Sequence, residues 1–261
     1  YKGWKILNTV DSQNLNNGVL PQVDVLMGSF ASGASGYPVC SETLDKDNMK
    51  KVIELKKIAI QKRVVQTIKK CKPKVYIPFA GYFTESHPSD YIIKKLNKKN
   101  KPEDIKNLLT KVFFNLKVII PTPGNKLDLS TFKYSNNSYT KELNHDYKKY
   151  ITSLNNSISS SFESLVELQK YFNWAGYCKD NLLLHIFEMD EHFSEVIREF
   201  FVDFMTNKVS KKLPKKRFGQ RYLRIKVRLP VFRYVLKKGL PWEEISIGFQ
   251  GRFYRNPDVY N

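Results

Sequence analysis

The chain has 261 residues, 41% hydrophobic and 13% aromatic, with 44 Lys and Arg against 25 Asp and Glu for a net charge of +19. That apolar content excludes a disordered chain, and no apolar run approaches the roughly 20 residues of a bilayer-spanning helix. Cys40, Cys71 and Cys178 lie far apart, which excludes a disulfide framework and a four-cysteine zinc site; each reads as a small apolar core residue in a reducing compartment.

The opening "YKGWKILNTVD" enters strand-like sequence directly with no initiator Met, so part of the fold is expected upstream of Tyr1. Residues 5–10, "KILNTV", and 23–28, "VDVLMG", read as short strands, followed by a Gly/Ser loop at 29–38. Val52, Leu55, Ile58, Val65 and Ile68 recur at helical spacing and predict a helix over 47–71, ended by Lys72-Pro73. "KVYIPF" and "LKVIIP" (116–121) read as buried strands, with a helix opening at Pro102-Glu103-Asp104 between them. Residues 125–150 are polar and read as a linker.

Beyond the linker, "SISSSFESLVELQKYFNWAG" predicts a Ser-capped helix ending at Gly176, "NLLLHIFEM" a strand and "HFSEVIREFFVDFM" a helix. "RYLRIKVRLP" alternates apolar and basic residues as a half-buried strand should. A helix over 231–238 stops at Gly239, and "EISIGFQGRF" is the last predicted strand. The alternation of strand and helix is α/β, with domains expected at 1–130 and 151–261, the latter α+β, joined by a linker at 131–150.

The segment "VYIPFAGYFTESHPSD" runs from an apolar strand into a turn holding Tyr82, Glu85, Ser86, His87 and Asp90. Loops at strand ends on a rigid scaffold carry function; the other reading is a solvated turn whose Ser and Asp cap the next helix. His87, His145, His185 and His192 form none of the short metal-ligand spacings. His185 reads as a packing residue, His145 as a surface group in the linker, and His192 as a surface group starting a helix. Asp11 ends a strand, where a metal-bridging carboxylate or an ordinary turn residue would both sit. In "SGASG", two glycines permit close approach of backbone to a ligand, or simply a turn.

Residues 207–261 hold fifteen Lys and Arg against three acids. Lys211, Lys212, Lys215, Lys216, Arg217, Arg221 and Arg224 form the densest part and favour a polyanion: RNA, an acidic partner or a phosphorylated substrate. Lysine-rich solvated faces are the competing reading.

Taken in order, "VDVLMGSFASGASGYP", "KPKVYIPFAGYFTESHPSDYI", "YFNWAGYCKDNLLLHIFEMDEHF" and "GLPWEEISIGFQGRFYRNPDVYN" resemble the CMP-N-acetylneuraminate hydroxylases, a Rieske-type monooxygenase family. The resemblance runs from Trp4 to Asn261 and weakens at 130–150 and 207–221. It implies the C-terminal part of a metallo-β-lactamase-like αββα domain over 1–130, followed by a smaller α+β extension. The implied activity is hydroxylation of the N-acetyl methyl of CMP-sialic acid in the cytoplasm, with electrons from cytochrome b5. Iron is the implied cofactor, with Asp11 and His87 as ligands; the other metal ligands and those of the 2Fe–2S cluster would lie upstream. Gly33, Ser35, Gly36, Tyr82, Glu85, Ser86 and Asp90 are the implied substrate-binding residues. One departure is that Gly28-Ser29 stands where the family pattern carries Ser-Asp. The alternative is a catalytically degenerate relative, serving as a basic scaffold or RNA-associated subunit of a large assembly such as a mitochondrial ribosome.

Overall fold

In the computed structural model, which describes residues 3–10, 15–32, 35–81, 83–85, 87–135, 146–158, 163–177 and 179–258, the short apolar runs form two separate sheets. The first is a four-stranded parallel sheet in the order β1 (Ile6–Asn8), β2 (Val25–Gly28), β3 (Val75–Pro78), β4 (Lys117–Val118). A parallel sheet is covered on both faces and needs continuous apolar strands. Here Val25, Leu26, Val75 and Tyr76 are all buried.

Three helices follow in this half of the chain: α1 (Lys46–Cys71), α2 (Tyr91–Leu96) and α3 (Pro102–Val112). Val64, Ile68 and Cys71 of α1 and Ile105 and Leu109 of α3 pack on Leu26, Tyr76 and Val118. The helix over 47–71 forms as predicted, but its buried stripe differs: Leu55 is 66% exposed and Ile58 37%. Asp45 Oδ1 caps α1 by accepting from the backbone N–H groups of Asp47 and Asn48. The other sheet face carries Val25, Val75 and Ile119 under Leu127, Leu129, Phe132 and Tyr134. The start of the polar 125–150 segment is therefore packed rather than free; its apolar residues form two short pairs, 127/129 and 132/134, too brief to stand out from the polar sequence around them.

The second sheet has the order β7-β6-β5-β8-β9. Its strands are β5 (Leu182–Met189), β6 (Val196–Asp203), β7 (Lys208–Ser210), β8 (Arg221–Arg228) and β9 (Gly251–Asn256). Only β5 and β8 pair in parallel. Four helices accompany it: α4 (Tyr147–Asn156), α5 (Ser164–Ala175), α6 (Leu229–Lys238) and α7 (Glu243–Ile247). Leu184, Ile186, Phe200, Val202, Ile225 and Val227 share one core with the apolar residues of these helices. Gly239 takes the left-handed conformation that closes α6, as the sequence predicts.

Several expectations are corrected. "HFSEVIREFFVDFM" contains strand β6, not a helix. Residues Phe200–Asp203 are all buried while Val196–Glu199 are exposed, so neither the helical nor the strand period shows in the sequence. Pairing with β5 decides the outcome, setting Arg198 against Glu188 and Phe201 against His185. His192 accordingly lies in the turn after β5. "EISIGFQGRF" divides into α7 and β9. The cap position of α5 is Glu163, which makes no side-chain capping bond, in place of the predicted serine.

By contacts, one compact unit comprises residues 1–34, 50–84 and 97–144, and the other residues 35–49, 85–96 and 145–261. The second unit thus takes in two excursions from the first half of the chain, and these excursions build the candidate site.

Candidate functional site

Side chains two apart on a strand share a face, so Arg224, Lys226 and Arg228 of β8 project together. Arg252 of β9 stands opposite Lys226 in the register and joins them. Four cations on one sheet face need acids before water can be excluded, and the two excursions supply them. Glu42 accepts from Arg224 at 2.9 Å and from Lys226 at 2.6 Å. Asp90 accepts from Arg228 through both terminal nitrogens, at 2.9 and 2.8 Å, and from Arg252 at 2.6 Å.

Arg228 is fully buried, and Asp90 nearly so. The guanidinium donates further to the Glu191 carbonyl at 2.7 Å and to Gln250 Oε1 at 3.2 Å. The Phe193 ring lies 4.6 Å from the Arg228 guanidinium carbon and 4.2 Å from that of Arg252. Burial alone would raise the Asp90 pKa; the Arg228 hydrogen bonds and the charges of Arg228 and Arg252 outweigh it and hold the carboxyl below its usual range.

His87 precedes the Pro88–Asp90 turn, and its Nδ1 accepts the Ser89 backbone N–H at 3.0 Å. In the neutral ring that bond puts the proton on Nε2, which is buried with no hydrogen-bond partner among the described residues. Burial first, then the Arg228 charge, lowers the His87 pKa to about 4, so the ring is neutral near pH 7. It packs edge-on against Tyr147 at 4.3 Å, and the Tyr147 hydroxyl is likewise buried without a partner among the described residues. The two can offer hydrogen bonds to one acceptor oxygen or to an ordered water. Ser89 Oγ meets His192 Nδ1 at 2.5 Å.

The described residues do not fit an iron site. No three His, Cys, Asp or Glu side chains among them come together to hold a metal. Nε2 of His87, carrying the proton, has no lone pair to donate. Asp11 lies outside the described residues.

The first excursion forms a cleft of about 250 Å³ walled by Ser35, Gly36, Tyr37, Ser41, Phe253 and Arg255. Gly36 has φ +71°, and a Cβ there would sit 2.8 Å from the Ser246 carbonyl oxygen. Cys40, also in this wall, has its thiol pushed up to about 11 by burial and is a protonated packing residue, as the sequence suggested. Its sulfur is 3.7 Å from Arg252, which joins the cleft to the Asp90 ion pairs.

Of the sequence-predicted substrate residues, Ser35 and Gly36 line the cleft, Glu85 is buried, and Asp90 is engaged by two arginines. Gly33, Tyr82 and Ser86 lie outside the described residues. Of the predicted polyanion-binding residues, three arginines already hold internal acids: Arg217 with Asp203, Arg221 with Asp180 and Arg224 with Glu42. Lys211, Lys212, Lys215 and Lys216 are exposed. His185 packs on Phe201 and bonds Tyr222, in keeping with a packing role; His145 is outside the described residues.

Sequence reasoning missed Glu42, Tyr147, Arg228 and Arg252. The basic alternation of β8 was a visible signal of a common face, but its acids come from segments 138 and 182 residues away.

The molecule is an α/β protein in which the buried Asp90 and the half-buried Glu42 lock a basic sheet face beside a small cleft with a mainly apolar wall. Along its whole length it is similar to proteins named cytidine monophosphate-N-acetylneuraminic acid hydroxylase. It is 38% identical to that of Danio rerio over 286 aligned positions, covering 100% of this chain and 47% of the relative. The values are 35% for Macaca mulatta, covering 47%, and 33% for Asterias rubens, covering 42%, both over 280 positions and all of this chain. The chain is thus a homologue of these hydroxylases, and it spans about half the length of the curated relatives it matches. No family model and no solved structure matches.

Proposed function

We propose that this chain forms part of a monooxygenase that hydroxylates the N-acetyl methyl group of CMP-linked N-acetylneuraminate. The observation that carries this reading is similarity over the entire chain, at 33–38% identity, to relatives with one shared name. The four-stranded parallel sheet with α1 and α3 is taken as the contribution of this chain to a metallo-β-lactamase-like αββα fold. The reaction consumes dioxygen and two electrons, the latter assigned to reduced cytochrome b5, and a cytoplasmic setting suits these partners. Among the described residues, no helix is long and apolar enough to cross a membrane.

This chain's own task is binding. In the proposed mode the cytidine ring lies against Tyr37 and Phe253 in the cleft, the Ser41 and Ser246 hydroxyls meet the sugar, and Arg255 takes the phosphate. Arg255 now faces Asp258 at 3.1 Å, a half-buried pairing that a phosphate would have to replace. Iron would supply the oxygen activation when bound, but no step is assigned to it through the described residues. The scaffold alternative has less support, since Arg217, Arg221 and Arg224 are engaged by internal acids.

Calorimetric titration of the chain with CMP tests the binding role. Saturable binding that Arg255→Ala weakens at least about tenfold is expected, the loss of one charge-assisted contact; heat indistinguishable from dilution would exclude CMP from the cleft.

A further inference from the structure

We propose that the loop between β7 and β8 is a docking element for an anionic lipid surface. This rests on the loop itself and is independent of the hydroxylase reading.

The ten residues 211–220, "KKLPKKRFGQ", present two apolar tips among four lysines. Phe218 is fully exposed and Leu213 two-thirds exposed. Single exposed apolar residues are ordinary; two in one lysine-ringed loop are a composite feature. Lys211, Lys212, Lys215 and Lys216 are all exposed, and the neighbouring acids do not offset them. Asp203 is held by Arg217, and Asp180 by Arg221.

The tip is also held in shape. Arg217 grips Asp203 with two bonds of 2.7 Å and reaches Asn181 Oδ1 at 3.2 Å. Asn181 Nδ2 donates to the Phe218 carbonyl at 2.9 Å. Phe218 is therefore presented by a braced turn, so exposing it costs no further ordering when a surface arrives.

Two exposed apolar side chains in one loop that carries four exposed lysines match the boundary of an anionic bilayer. Phe218 and Leu213 enter the headgroup–acyl zone, while the lysines meet lipid phosphates and carboxylates, each contributing attraction that salt screens. A nucleic acid would match the lysines and could stack on Phe218, but it offers no apolar phase for Leu213. Charge and apolar character together select the lipid surface.

Vesicle co-sedimentation of the whole chain tests this, using phosphatidylcholine alone and phosphatidylcholine mixed with phosphatidylserine. Binding to the mixed vesicles only, lost on raising the salt, is expected. Both Leu213→Ser with Phe218→Ser and the four-fold Lys→Gln variant should weaken it at least about tenfold. Because every altered side chain is exposed, unchanged thermal melting checks that the fold survives. Absent or equal binding to the two vesicle types overturns the proposal. So does unchanged binding by the serine variant, or single-stranded RNA or polyglutamate competing fully whether or not Phe218 is present.

Discussion

Asp90 and Arg228, 138 residues apart in sequence, form a two-pronged ion pair at 2.8 and 2.9 Å with exposures of only 3% and 0%. The contact fixes the 85–96 excursion to the end of β8, and Arg252 adds a third bond to the same carboxylate. A buried pair of this kind is poor evidence of net stabilisation, because desolvation opposes the attraction. Removing one partner is a different matter.

Arg228→Met leaves Asp90 buried with Arg252 alone and is expected to lower unfolding free energy by about 3–5 kcal/mol. Arg228→Lys should recover little, since an ammonium cannot reproduce the fork. In a double-mutant cycle with Asp90→Asn, the combined loss should fall short of the sum of the single losses. Urea denaturation reads all three; strict additivity would mean that the pair is not coupled.

His87 predicts a pH dependence. Folded, it accepts a proton only below about 4, whereas a histidine in an unfolded chain does so below about 6.5. Between those values the unfolded state binds more protons, so stability is fully present above about 6.5 and falls as the pH drops towards 4. The contribution is of the order of 3 kcal/mol. Burial also lowers His185, which adds slope in the same direction. His87→Gln should therefore flatten the profile without abolishing its slope; an unchanged profile would show that His87 is not buried as described.

Gly36→Ala should cost about 1–3 kcal/mol, because it combines a positive φ with a Cβ 2.8 Å from the Ser246 carbonyl. Gly124→Ala has a similar φ, +85°, but nothing within 4 Å, and isolates the backbone strain alone. Thermal melts of the two variants should differ, Gly36→Ala being the worse. Equal losses would remove the argument for close packing at the cleft wall.

Arg217→Gln should free the 211–220 loop from Asp203. Trypsin cleavage at Lys211–Lys216 is then expected several-fold faster than in the parent, together with a loss of global stability of the order of 3 kcal/mol, because Asp203 is left buried without its arginine. Arg217 also holds Asp203 down to about 2, so the brace should persist at pH 4, where pepsin, cutting at Leu213 or Phe218, takes the place of trypsin.

Much of the fold was legible in the sequence. Buried parallel strands announce themselves as continuous apolar runs, which is why β2 and β3 were found, and Gly239 marked the end of α6. β6 was missed because its last four residues are buried on both faces, which erases any period, and its identity depends on pairing with β5. The candidate site was half visible. His87, Asp90, Ser35 and Gly36 stood out as polar or glycine residues at strand ends. Arg224 was read as meeting an external polyanion, yet its partner is internal. A strand's sequence shows that its cations share a face, but only the folded chain shows which carboxylates reach them.

The central claim is tested most directly by mass spectrometry of CMP-N-acetylneuraminate incubated with the complete natural protein carrying this sequence. Reduced cytochrome b5 and isotopically heavy dioxygen are supplied. The account predicts a product heavier by one oxygen atom, bearing the heavy isotope on the N-acyl group, and formed more slowly by the Arg255→Ala variant. Unchanged substrate from folded protein with its electron donor oxidised, or a product lacking the isotope, would contradict it.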